Sequence, residues 1–88
     1  MTKIYHAHLL PGITPGVFYA VEENYQEDAA DLDSFMQTEL EELNRSGDSL
    51  WVITEGITVA GIPDVPFRIV RGMYPDLEIW LAFYAKEE

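Results

Sequence analysis

The feature that most constrains this chain is one acidic, amphipathic stretch from Asn24 to Gly47. Its apolar residues recur at spacings of three and four, the period of a helix with one buried face. Asn24 and Glu27 fit a capping box at the start, and Gly47 fits a left-handed residue at the end. One face of this helix is therefore expected to pack on a sheet. The predicted apolar stripe consists of Ala29, Leu32, Phe35, Met36, Leu40 and Leu43.

Length and composition predict one folded domain, residues 1–88. Of the 88 residues, 48% are hydrophobic and 12% aromatic, which is enough for a modest core and argues against intrinsic disorder. The chain has no cysteine, so disulfides and thiol chemistry are excluded and a reducing compartment fits. Neither a signal peptide nor a run of about 20 apolar residues is visible, so we expect a cytoplasmic protein that does not enter a membrane.

Negative charge is concentrated in one part of the chain. The net charge is −11, with sixteen acids against five bases. Between Glu22 and Asp48 there are ten acids and one base, Arg45, while the remaining residues carry six acids and four bases. Such a surface repels nucleic acid and anionic lipid, and it attracts basic protein surfaces.

The segments outside the helix have the composition of strands, rich in aromatic and β-branched residues. Two of them are less certain: Ile57–Ala60 is short, and Leu77–Ala85 fits a helix as well as a strand. Its alternation and aromatic content favour the strand. The predicted strands are Lys3–Leu10, Val17–Glu22, Leu50–Glu55, Ile57–Ala60, Phe67–Val70 and Leu77–Ala85.

The order of these segments predicts an α+β fold. Short connections between consecutive strands favour antiparallel pairing. We therefore expect a two-layer sandwich, in which a mostly antiparallel sheet of four to six strands carries one amphipathic acidic helix on one face, in the order β-β-α-β-β-β.

The acidic face of the helix is the candidate binding surface. Neighbouring carboxylates on a helix lie about 5–6 Å apart, close to the spacing of phosphates along a nucleic-acid strand. A rigid row of this kind can imitate nucleic acid, although a solvated face that keeps the protein soluble explains the same pattern. Arg45 is the only base placed to pair locally, with Glu41 or Glu42. The candidate partner-binding residues are Asp28, Asp31, Asp33, Glu41, Glu42 and Asp48.

Glu39 falls inside the apolar stripe of the helix. A carboxylate in that position must find a partner or take a raised pKa. Arg68 and Arg71 are possible partners. The alternative is a slightly rotated helix, with Glu39 reaching solvent at its edge.

His6 and His8 form a His-x-His pair on one face of the first strand. That spacing brings two imidazoles towards one metal ion. Without a recognisable third ligand, an exposed strand face is the favoured interpretation. A metal-dependent activity built on this pair is therefore the weakest of three functional hypotheses, and no tight metal site or cofactor is expected.

No catalytic motif stands out, so we expect a protein that is not an enzyme. In size, charge and lack of a catalytic signature the chain resembles the small acidic inhibitors that phages and mobile elements use against restriction, repair or CRISPR complexes. That resemblance implies a basic nucleic-acid-binding protein or complex as partner, with no direct binding of nucleic acid.

The alternative is a structural or accessory module that assembles through its sheet, with charge serving solubility only. Both a monomer and a homodimer fit the sequence.

Overall fold

The computed structural model describes residues 1–86 and contains one helix packed against a curled, mixed sheet of six strands. The predicted α+β class is therefore confirmed, with the helix on one face. The Leu77–Ala85 segment is a strand, as its alternation indicates. The elements are β1 (Thr2–Pro11), β2 (Val17–Ala29), α1 (Leu32–Asn44), β3 (Leu50–Thr54), β4 (Thr58–Ala60), β5 (Phe67–Met73) and β6 (Glu78–Lys86).

The strands are ordered β3-β5-β6-β1-β2-β4 across the sheet. Four of the five neighbouring pairs are antiparallel, and the β2–β4 pair is parallel. The two central strands, β6 and β1, pair with each other from Lys3 opposite Lys86 to His8 opposite Leu81. The sheet is thus mostly antiparallel, and β3 and β4 form its two edges.

The helix begins later than the sequence predicts. Asn24 and Glu27 lie on β2, which pairs with β1 as far as Ala29, so the predicted capping box is wrong. The actual cap is Asp31, whose side chain accepts a hydrogen bond of 2.7 Å from the backbone N–H of Ser34. Pairing with β1 holds Asn24, Tyr25 and residues 27–29 as a strand, although their local sequence is compatible with a strand or a helix.

The end of the helix agrees better with the sequence. The last helical residue is Asn44, and Arg45 closes the final turn through its backbone N–H to Glu42. Gly47 follows with φ +77°, a conformation that glycine adopts without strain.

The main core lies between α1 and the sheet. Leu32, Phe35 and Met36 are its buried helical residues, while Leu40 and Leu43 are half-buried at its margin. Ala29 packs on this core from the end of β2 rather than from the helix. The sheet contributes Ile4, Trp51, Val70, Leu81 and Phe83.

Trp51 and Gly72 form a close contact within this core. They are cross-strand partners on β3 and β5. A Cβ atom on Gly72 would lie 2.6 Å from carbon atoms of the Trp51 indole. Only glycine therefore lets the indole lie directly on the sheet at this position.

A second cluster lies on the opposite face of the sheet. Leu9, Ile69 and Ala82 are its buried members. The Phe18 ring stacks on the Trp80 ring at a centroid distance of 4.7 Å, and both residues pack against this cluster. The curl of the sheet brings Ile57 and Val59, at one edge, onto the same cluster. Over residues 1–86, no helix has the length and apolarity that crossing a membrane requires.

Candidate interaction surface

Asp31, one of the predicted partner-binding residues, has a structural role. It is the N-cap of α1, and the hydrogen bond from Ser34 lowers the pKa of its carboxyl. Its side chain is therefore directed at the first turn of the helix. A substitution at Asp31 would change the start of α1 as well as the charge of the surface.

Asp28 and Asp33 also have partners within the chain. The Tyr25 hydroxyl donates a hydrogen bond of 2.8 Å to Asp28, and both residues lie on β2. Asp33, in the first turn of α1, forms an ion pair with Arg68 on β5 at 3.0 Å. Both acids are exposed, so these contacts orient the side chains without removing them from solvent.

The other predicted acids, Glu41, Glu42 and Asp48, are exposed and form no ion pair within residues 1–86. Glu41 and Glu42 lie on α1, and Asp48 follows it in the loop to β3. Arg45, the one base placed to pair locally, forms no ion pair with Glu41 or Glu42 in the described part of the chain, where its backbone N–H donates to the Glu42 carbonyl. The last turn of α1 contains no base.

Three carboxylates from two elements converge beside the helix. Burial raises the pKa of the Glu39 carboxyl above its ordinary value, and Glu42 and Glu27 raise it further. Glu27 lies on β2, so this contact between a strand and the helix depends on the fold. Neither arginine considered as a partner reaches Glu39, because Arg68 pairs with Asp33 and Arg71 pairs with Glu78. We call Glu27, Glu39 and Glu42 the acidic triad.

A cleft of about 210 Å³ lies beside the acidic triad, between the end of β2 and α1. Ala29 and the Phe35 ring supply apolar surface, and the carboxylates of Glu27, Asp28 and Glu39 supply negative charge. This combination suits a lysine or arginine side chain, whose aliphatic stem packs on apolar atoms while its charged end meets an acid. The sequence assigned Glu27 to the capping box of the predicted helix, and Glu27 was therefore not among the predicted partner-binding residues.

The two histidines face each other on β1, with ring centroids 5.9 Å apart. Within residues 1–86, no group of three or more potential ligands is arranged to hold a metal ion. Burial lowers the pKa of His6, and His8 lowers it further. The Nδ1 atom of His6 is buried and has no hydrogen-bond partner in the described chain. The Phe83 ring, 5.7 Å away between centroids, accounts for part of this burial.

A second polar cluster lies on the face of the sheet away from the helix, and sequence analysis missed it. Tyr84 is 1% exposed, and its hydroxyl donates a hydrogen bond to Glu23. Lys86 donates to the other carboxylate oxygen of Glu23 at 2.8 Å and lies 4.4 Å from the centroid of the Tyr5 ring. The available signal was the alternation of β6, which places Tyr84 and Lys86 on one face.

Glu23 reaches this cluster because β2 is irregular at the preceding residue. Glu22 has φ +57°, and the pairing shifts between His6 opposite Asn24 and His8 opposite Val21. Two residues of β2, Glu22 and Glu23, therefore lie opposite the single residue Ala7 of β1, as in a β-bulge, which changes the direction of the side chains.

Comparison of the chain with protein-family models, with curated proteins and with solved structures found no match. The functional argument therefore depends on the geometry of the residues themselves.

Proposed function

We propose that this protein is a non-catalytic inhibitor that binds a basic, nucleic-acid-binding protein through the acidic triad and the neighbouring face of α1. The observation that carries the proposal is the arrangement of the triad: Glu39 is half-buried beside a cleft that Glu27 also lines, and within residues 1–86 none of the three acids forms an ion pair. The raised pKa of Glu39, caused by burial and by Glu42 and Glu27, agrees with this arrangement. Like charges held this close destabilise the free protein. A cation from a partner would remove that cost on binding.

The placement of the bases supports the same proposal. Arg71 pairs with Glu78, Lys86 with Glu23 and Arg68 with Asp33. The ammonium group of Lys3 lies 5.3 Å from the centroid of the Tyr25 ring. The bases in these contacts are thus engaged elsewhere, and the acidic triad is left to act on another molecule.

The cleft beside the triad indicates what the partner presents. A long basic side chain that enters it would bury its stem against Phe35 and its charge against Glu39. Nucleic-acid-binding grooves are lined with such side chains, so occupation of the groove by this protein would exclude nucleic acid. Restriction, repair and CRISPR complexes all contain grooves of this chemical type.

Assembly through the sheet, the alternative function, receives less support from the geometry. Of the two edge strands, β4 is three residues long. The edge of β3 is hydrogen-bonded at Trp51 by the side chain of Asn44. A sheet edge used for assembly would offer a longer and unoccupied strand.

The proposal is tested by capturing partners from host lysate and measuring how duplex DNA competes with the captured protein. The test variant neutralises the acidic triad and leaves Asp31 unchanged, because Asp31 caps the helix. The matched control removes the same charge from exposed acids elsewhere. The triad variant is Glu27→Gln, Glu39→Gln and Glu42→Gln, and the control is Glu55→Gln, Asp64→Asn and Asp76→Asn.

We expect the triad variant to lose binding by at least tenfold, while the control loses little. Duplex DNA should displace the original protein from its partner, and binding should weaken as salt screens the charges. Equal binding by the two variants would assign the charge to solubility alone. A partner with no affinity for nucleic acid would contradict the proposal in another way.

A further inference from the structure

Two histidines lie side by side on the central strand β1, on the side of the sheet that faces the helix. His6 and His8 are both half-buried, and the Nδ1 atom of His6 is buried without a hydrogen-bond partner within residues 1–86. A neutral imidazole leaves that nitrogen unpaired at moderate cost. An imidazolium would place a charge and an unpaired N–H donor there, which costs more. The position of His6 in the fold therefore opposes its protonation.

The neighbouring strands offer the pair no carboxylate on this side of the sheet. The residues that lie opposite the two histidines are uncharged: Asn24 and Val21 on β2, and Phe83 and Leu81 on β6. At the bulge between them, Glu22 is exposed, and Glu23 is directed to the other face, where it binds Tyr84 and Lys86.

The charged groups farther along this side have other neighbours. Glu27 of β2, which lies opposite Ile4, belongs to the acidic triad with Glu39 and Glu42 of α1. Arg68 of β5 pairs with Asp33. Burial and the neighbouring His8 are what lower the pKa of His6, in that order. Around His6, the nearby ionisable group is thus a second histidine, which repels an imidazolium.

Ring contacts connect His6 to the cleft beside the acidic triad. The centroid of the His6 ring lies 5.7 Å from that of Phe83, which in turn lies 5.6 Å from that of Phe35. Both phenylalanines are buried in the main core. Phe35 also lines the cleft together with Glu39. His6 is therefore two ring contacts away from the apolar wall of the cleft.

We infer that His6 and His8 form an acid-sensitive switch, in which protonation turns the His6 ring away from Phe83 and loosens the packing of Phe35 at the cleft. In mild acid, two imidazolium rings with centroids 5.9 Å apart repel each other, and the buried Nδ1–H of His6 lacks an acceptor. Rotation of the half-buried His6 side chain towards solvent relieves both costs and uncovers Phe83. Control of partner binding by this switch rests on the proposed function, whereas the movement itself belongs to the free protein.

The direction of the pH effect follows from the lowered pKa of His6. The unfolded chain binds a proton at the ordinary histidine pKa of about 6.5, which is above the folded-state value. The stability associated with neutral His6 is therefore complete above about pH 6.5. It declines as the pH falls towards the folded-state pKa.

The first test compares urea unfolding of the full chain and of His6→Phe between pH 7.5 and pH 5. Phenylalanine keeps an aromatic ring against Phe83 and cannot be protonated. Over this range, we expect the unfolding equilibrium constant of the original protein to rise by about threefold or more relative to that of the variant. Equal pH dependence of the two proteins would overturn the inference.

Proton NMR of the free protein follows the switch itself. The ring signals of Phe83 and Phe35 should shift with the same midpoint as the His6 imidazole, and this step should be absent from His6→Phe. Because Glu39 lines the same cleft and has a raised pKa, the measurement is repeated in Glu39→Gln, where the step should persist. Phe35 signals that do not follow the His6 midpoint, or that follow Glu39 alone, would contradict the switch.

His8→Gln is the matched variant for the pair, and it gives an answer even if His6→Phe does not fold. It removes the neighbouring charge and keeps His6, so the titration midpoint of His6 should move upwards. An unchanged midpoint would show that the two histidines do not act as a pair. All of these measurements use the free protein, so the switch can fail while the proposed function stands, and the reverse.

Discussion

Glu23 and Glu39 are carboxylates of the same small domain with opposite surroundings. Glu23 accepts hydrogen bonds from the buried Tyr84 hydroxyl and from Lys86, and these bonds lower its pKa. Glu39 has no such partner in the part of the chain that the structure describes, and its pKa is raised by burial and by the acids around it. The first carboxylate therefore stabilises the fold when ionised, and the second destabilises it. We interpret Glu23 as an acid that stabilises the fold and Glu39 as an acid available to a partner.

The largest expected effect concerns Glu23. Glu23→Ala removes the acceptor of the Tyr84 hydroxyl, which is buried, and the ion pair with Lys86. We expect a loss of about 1–2 kcal/mol in the free energy of unfolding, measured with urea at pH 7. Glu23→Gln is the control, since it keeps an acceptor and should lose less. Equal losses from both variants would mean that charge, and not the hydrogen bond, determines the effect.

The contribution of Glu23 should depend on pH in a defined direction. Because its pKa is lowered in the folded state, its stabilising effect is fully present above the ordinary glutamate pKa of about 4.3. The effect is lost as the pH falls through the folded-state pKa. Urea unfolding of the original protein and Glu23→Gln between pH 7 and pH 2 should therefore converge at the acid end. Curves that remain parallel would show that the Glu23 carboxylate is not stabilised by ionisation.

A smaller effect of opposite sign is expected at Glu39. Glu39→Gln removes a charge that Glu42 and Glu27 oppose, so stability at pH 7 should rise by less than about 1 kcal/mol. The raised pKa means that the cost of ionisation is present above the folded-state value and disappears as the pH falls towards about 4.3. The gain should therefore vanish in acid. A loss of stability at pH 7 would indicate a cationic partner for Glu39 within the molecule.

The smallest effect is expected at Glu41, which is exposed and has no ion pair in the described chain. Glu41→Gln should change the free energy of unfolding by no more than about 0.5 kcal/mol. This variant serves as the reference for a helical acid outside the triad. If it stabilised the protein as much as Glu39→Gln, the distinction between the triad and the rest of the helix would disappear.

The helix has the clearest sequence pattern in the chain, and its first residue was nevertheless predicted wrongly. Leu32, Phe35 and Met36 are buried as their spacing predicts. Glu27 and Asp28 are acids of the kind that favour the first turn of a helix, yet they belong to β2. Pairing with β1 decides their conformation, and a local pattern does not contain that information. The error bears on the proposed function because Glu27 is the strand member of the acidic triad.

The surroundings of the candidate partner-binding residues were predicted in part, and their binding role stays a prediction. The exposure of Glu41 and Glu42 on the helix agrees with the sequence. The prediction did not anticipate that Asp31 caps the helix or that Asp33 pairs with Arg68 on β5. The latter contact joins residues that are distant in the chain, so no spacing rule could find it.

The sequence by itself determined an α+β domain with an amphipathic helix and a concentration of negative charge around it. These properties follow from periodicity and composition, which are local and need no knowledge of strand order. Only the tertiary structure decided that Glu23 meets Tyr84, that Glu27 meets Glu39 and that Asn44 bonds to the edge of β3 at Trp51. Each of these contacts depends on which elements become neighbours. Which elements become neighbours depends on strand pairing and burial across the whole chain, and a local sequence pattern does not contain that information. The role of a polar side chain then depends on the groups that the fold places around it.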